Sequence, residues 1–109
     1  MLNKIMMSGR LTSDPTIITD GDSKYCKFGI AVEQPKRRGV DTVETDNFHC
    51  IAVEDNARAV NYLYSKGKQI TFVGSLRKDA NDSAVIVVEE LHFSNRFTVK
   101  VDADSGQLF

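Results

Sequence analysis

The side chains of this 109-residue chain whose types could do chemistry together are cations and aromatic rings. Lys36, Arg37 and Arg38 stand consecutively, and Arg10, Lys27, Arg77 and Lys78 fall on or beside segments of alternating polarity. Grouped cations suit a phosphate backbone, and rings left open beside them stack on unpaired bases, each stack contributing roughly 1–3 kcal/mol. Two rings are candidates. Phe48 has the opposite parity to Ile51 and Val53 and sits beside the small Cys50 and Ala52, which predicts a ring on an open sheet face; Tyr25 is the second. Phe28, Phe72 and Phe93 keep register with aliphatic residues and read as core. Acidic residues concentrate elsewhere, at Asp41, Glu44 and Asp46, at Glu54 and Asp55, at Glu89 and Glu90, and in the tail.

Other chemistries find less support. The sequence has no phosphate-cradling Gly-rich loop ending in Lys-Ser/Thr, no nucleophile elbow and no cluster of metal-ligand spacing, so neither an enzyme, a metal site, a cofactor nor a small-molecule substrate is expected. His49 and His92 stand singly in strands, where packing or an interface is the usual use. Cys26 and Cys50 are too few for a disulfide framework and read as reduced structural thiols. With 14 Lys and Arg against 15 Asp and Glu, a polybasic tail or histone-like binder is excluded. The longest apolar run, Ala84 to Val88, is far below the roughly 20 residues of a membrane span. The start, with Lys4 inside its first apolar stretch, lacks a secretory pattern, so a cytoplasmic location is expected.

These groups must be positioned by strands. Leu2 to Leu11 is an apolar strand that Gly9 lets bend, and Thr16 to Thr19, between two turn signals, can extend the sheet. Cys26, Phe28, Ile30 and Val32 alternate with Lys27, Gly29, Ala31 and Glu33, the period of a half-buried strand. After a long loop at Gln34 to Glu44, Asp46 to Val53 alternates again. The period then changes. Asp55 is placed as N-cap of a helix carrying Ala59, Val60, Leu63 and Tyr64, with Gly67 as its C′ residue. Strands at Gln69 to Arg77, containing Gly74, and at Ala84 to Phe93 flank a short polar hairpin loop, Lys78 to Ser83. Phe97, Val99 and Val101 form an edge strand or a frayed end. The expected fold is all-β: a five-stranded Greek-key barrel of the OB type with one helix between its third and fourth strands, over residues 1–101, followed by a short acidic tail, 102–109.

In that order, LNKIMMSGRLTSDP (Leu2 to Pro15), KFGIAVE (Lys27 to Glu33), NFHCIAV (Asn47 to Val53) and NYLYSKGKQITFVGSLR (Asn61 to Arg77) resemble the bacterial and phage single-stranded DNA-binding proteins. The resemblance runs from Leu2 to about Phe93. It implies an OB fold that binds single-stranded DNA, with Phe48 as a base-stacking aromatic, Arg10 and Arg77 in the nucleic-acid groove, and His49 at a subunit contact. There are departures. Aromatic residues that such proteins carry elsewhere are missing near Lys36, at Glu54 and in the short final hairpin, and the chain has no Trp. Binding should therefore lean on phosphate contacts and on salt. The tail, with Asp102, Asp104 and terminal Leu108 and Phe109, only faintly resembles the family's partner-recruiting tip.

The expected function is sequence-independent coating and protection of single-stranded DNA in replication or recombination. The alternative is an OB-fold assembly factor that binds mainly protein, replication or recombination partners among them, and DNA weakly. A homo-oligomer, dimer or tetramer, is expected through the edge of the first strand, with Leu2, Lys4, Met6 and His49 at the interface. The compact, tail-poor form leans towards a phage or mobile-element origin.

Overall fold

Alternation decides which face of each strand is dry. The computed structural model describes residues 1–36 and 38–93. Strand β1 (Ile5–Leu11) is followed by β2 (Thr16–Asp20), β3 (Ser23–Glu33) and β4 (Thr45–Val53), then helix α1 (Glu54–Leu63), β5 (Gln69–Lys78) and β6 (Ala84–His92). The strand order is β1-β5-β6-β4-β3-β2, and an extra β1–β3 pairing closes five of the strands into a barrel, leaving β2 as a hairpin partner of β3. This is the expected OB layout. Closure is brief: Arg10 and Leu11 pair with Ala31 and Ile30 on β3, and β4 meets β6 in parallel through Cys50 with Ile86 and Ile51 with Val87.

Two glycines permit the tight corners. A Cβ on Gly9 would lie 2.8 Å from the Ala31 carbonyl oxygen, and one on Gly74 only 2.4 Å from that of Val87. Gly74 also sits where the β5–β6 register shifts, so the bulge and the missing side chain together turn the sheet. Inside, Cys26, Phe28, Ile30, Cys50, Ala52, Ile70, Phe72, Ile86 and Val88 form one buried cluster with Ala57 and Val60 of the helix. Phe28 and Phe72 meet edge to face, centroids 6.5 Å apart. Both cysteines are free and buried, and burial pushes the Cys50 thiol up to about 12.

The helix ends differ from expectation. Val53, the last residue of β4, is the N-cap and offers no side-chain cap; Glu54 follows at φ +53. Asp55 therefore lies inside the first turn, where its charge favours the helix N-terminus and Arg58 pairs with it at 2.8 Å. At the other end Tyr64 is the C-cap, its N–H donating to the Val60 carbonyl. Gly67, at φ +88, lies beyond the helix and turns the chain into β5 while donating to the Leu11 carbonyl at 2.9 Å. The expected strand through Phe97, Val99 and Val101, the 101/102 boundary and the tail lie outside the described residues.

Candidate nucleic-acid interface

The outer ladder of β3 and β4 carries the groups that the inner ladder excludes. Tyr25 stands opposite Val53, Lys27 opposite Ile51, Gly29 opposite His49, Ala31 opposite Asn47 and Glu33 opposite Thr45. Cys26, Phe28 and Ile30 face the core, so Tyr25 and Lys27 share the outer surface, with the Lys27 ammonium 6.0 Å from the Tyr25 ring centroid. Two concavities open along this ladder.

The first, about 430 Å³, lies across β3 and β4 between the β1–β2 loop and the β5–β6 hairpin, where it is lined among others by Ser13, Lys27, His49, Ile51, Asp79 and Ser83. The hairpin wall is held from within. Asp79 Oδ1 accepts from the backbone N–H of Asn81 at 2.9 Å and of Ser83 at 3.0 Å. These bonds, with a further pull from Lys27, hold the Asp79 carboxyl below its ordinary range. The second concavity, about 450 Å³, lies where β1 meets the far end of β3, bounded by Ser8, Arg10, Glu33, Thr45 and Gln69. Its polar groups are already engaged: Gln69 Nε2 donates to Ser8 Oγ at 3.1 Å, Ser8 shares a hydroxyl bond with Thr71 at 2.8 Å, and Arg10 Nη1 donates to the Gly67 carbonyl at 3.1 Å.

The sequence-predicted residues divide accordingly. Lys27 and Tyr25 lie on one outer face, Arg10 in the other concavity. Lys36, Arg38, Arg77 and Lys78 are exposed, with Lys78 turned to Asp82 on its own hairpin at 3.3 Å; Arg37 lies outside the described residues. The expected orientation of Phe48 is overturned. Its ring shares the face of Cys50 and Ala52, stands opposite the fully buried Ile30 and packs half-buried against the core. Small residues at 50 and 52 mark the barrel interior, where Phe72, Ala57 and Val60 fill the space, not an open face. His49 lies in the first cleft on β4, whereas Leu2, Lys4 and Met6 lie on or before β1, so the structure does not bring the four together. Acidic residues are not kept apart from the cations: Asp79 faces the Lys27 cleft, Glu33 borders the Arg10 concavity and Glu89 pairs with Lys4. Sequence reasoning missed Asp79 and Ser83 as cleft residues; the only local signal was a polar hairpin of fixed length.

No helix among the described residues is long and apolar enough to cross a membrane. Comparison with known proteins agrees with the architecture. The solved single-stranded DNA-binding protein of Thermus aquaticus superposes with a TM-score of 0.69 at 23% identity, covering 87% of this chain and 41% of that one. The second such protein of Mycobacterium smegmatis gives 0.68 at 20% identity over 83% and 86%. In sequence, single-stranded DNA-binding proteins of Staphylococcus epidermidis and Treponema pallidum are 31% and 30% identical over 77 and 79 residues, in each case 71% of this chain. The matches span 59% and 45% of those relatives, so the chain corresponds to part of their length. The model of the single-strand binding protein family matches residues 2–103, nearly the whole sequence. With that match running through every strand that builds the two concavities, the chain belongs to the single-strand binding protein family.

Proposed function

We propose that the chain binds single-stranded DNA without sequence preference, as a non-enzymatic coating protein of replication or recombination working in the cytoplasm. The observation that carries this reading is the cleft across β3 and β4, flanked by the two loops that OB folds use for oligonucleotides, with Lys27, His49 and Ile51 on its floor and walls and the Tyr25 ring on the same face. A phosphate would meet Lys27, and a base would lie on Tyr25 or against Ile51. Lys36, Arg38 and Arg77, all exposed, add attraction, and Lys78 adds less because Asp82 holds it; the charge of Arg37 adds to theirs. Arg10, engaged by the Gly67 carbonyl in the other concavity, contributes little. The assembly-factor reading has no observation of its own.

The test is titration of a labelled 30-mer of deoxythymidine at low and moderate salt. We expect binding that weakens with salt and a loss of about 1–2 kcal/mol in Tyr25→Ala. Micromolar or absent binding already at moderate salt would move the reading to a protein-binding role.

The same proposal includes a homo-oligomer, dimer or tetramer. Among the described residues, β1 from Ile5 to Gly9 is hydrogen-bonded only to β5, so its other edge presents backbone donors and acceptors to a partner strand. Leu2 and Met6 are largely exposed there, and the Lys4–Glu89 ion pair ties the segment down. Light scattering should give a multiple of the chain mass, reduced in a Met6→Glu variant; a monomer in both would reject it.

A further inference from the structure

The Asp79 carboxylate occupies an unusual place for a surface meant to receive polyanions. It lines the same cleft as Lys27, and the hairpin's own cation, Lys78, is turned away to Asp82. Its position is fixed: Oδ1 takes two backbone N–H bonds, the Asp79 N–H donates to the Ser83 carbonyl at 2.9 Å, and the Asp82 N–H donates to the Asp79 carbonyl at 3.0 Å. Lys27, by contrast, makes no ion pair among the described residues. Its long stem can swing between the Tyr25 ring and the cleft.

We propose that Asp79 is a built-in competitor of the bound strand: its carboxylate attracts the Lys27 ammonium across the cleft, and a backbone phosphodiester must displace that attraction to bind. This deepens the single-stranded DNA reading and rests on it. An anion held on a rigid turn lowers affinity at one subsite without changing the exposed cations elsewhere. It favours release, the step in which most affinity differences between related complexes lie. A coating protein must be removed from the strand, so a fixed competitor has a use that a neutral side chain would not.

The experiment uses the full chain with Asp79→Asn, Lys27→Ala and the double variant. Asn keeps Oδ1 as an acceptor for both turn N–H groups, so the hairpin is retained, and thermal unfolding checks this. With the labelled 30-mer of deoxythymidine at low salt, D79N should bind about three- to fivefold more tightly, the scale of a surface ion pair, and the gain should shrink as salt rises. In the K27A background the gain should largely vanish. A gain of equal size in both backgrounds would mean general repulsion and overturn the proposal, as would no gain or a loss. Weaker D79N binding to oligo-deoxycytidine alone would overturn it too, since a carboxylate there would be accepting from a base amino group. If wild type and D79N both leave the oligonucleotide free at low salt, the DNA-binding reading itself falls; if wild type binds and D79N gains nothing, only the competitor falls.

Discussion

The two concavities on the barrel's outer surface differ little in size, about 430 and 450 Å³, and each contains a cation, yet the cations are held differently. Arg10 donates to the Gly67 carbonyl and stands beside a closed chain of bonds from Gln69 through Ser8 to Thr71. Among the described residues Lys27 has a ring at 6.0 Å and a carboxylate across the cleft. A ligand entering the β1 concavity must break bonds already made, while one entering the β3–β4 cleft replaces a weak screened attraction. Volume and charge sign do not separate the two; the prior engagement of their polar groups does.

The strongest way to perturb the comparison is through the glycines beneath the two regions. Gly74→Ala would press a methyl group to 2.4 Å from the Val87 carbonyl oxygen and 3.2 Å from Ile86 Cγ2, whereas Gly9→Ala meets the Ala31 oxygen at 2.8 Å and Val32 Cγ2 at 3.1 Å. Neither backbone oxygen can yield without moving its strand. We expect G74A to cost about 3 kcal/mol and G9A about 1–2 kcal/mol in chemical unfolding, the range for overpacking a close contact. G74A should also weaken oligonucleotide binding, because the β5–β6 bulge sets the course of the strands whose hairpin walls the cleft. Equal and small losses would mean that the barrel corners are looser than their contacts imply.

Much of this architecture was legible because it is written in local period. The alternation from Cys26 to Glu33 shows which side of β3 is wet, and so puts Lys27 on the outside. Gly9 and Gly74 signalled bending for the reason now seen, a backbone crossing too close for a Cβ. Parity alone failed at Phe48. The alternation of Asp46 to Val53 has apolar residues on both faces, and only the packing of Phe72, Ala57 and Val60 decides that the small side is the inside. Asp55 misled for a related reason: β4 runs straight into α1, so the residue with the capping side chain arrives two positions after the N-cap. The Asp79–Lys27 proximity has no local signature at all, since it depends on the hairpin folding back over a strand laid down much earlier in the chain.

The smallest expected effect is the one that separates the two regions most cleanly. On a single strand each phosphate neutralised by a cation adds about 0.7 to the slope of log affinity against log salt, so removing a cation that binds phosphate lowers the slope by about 0.7. Lys27→Ala should do this. Arg10→Ala should leave the slope nearly unchanged, since its guanidinium serves the Gly67 carbonyl at 3.1 Å, and should instead cost about 0.5–1 kcal/mol of stability from one exposed hydrogen bond. If Arg10→Ala lowers the slope as much as Lys27→Ala, the bond to Gly67 is given up when DNA binds. The strand would then run the length of the β3–β4 ladder, from the Asp79 hairpin to the β1 crossing, and the two concavities would be ends of one track.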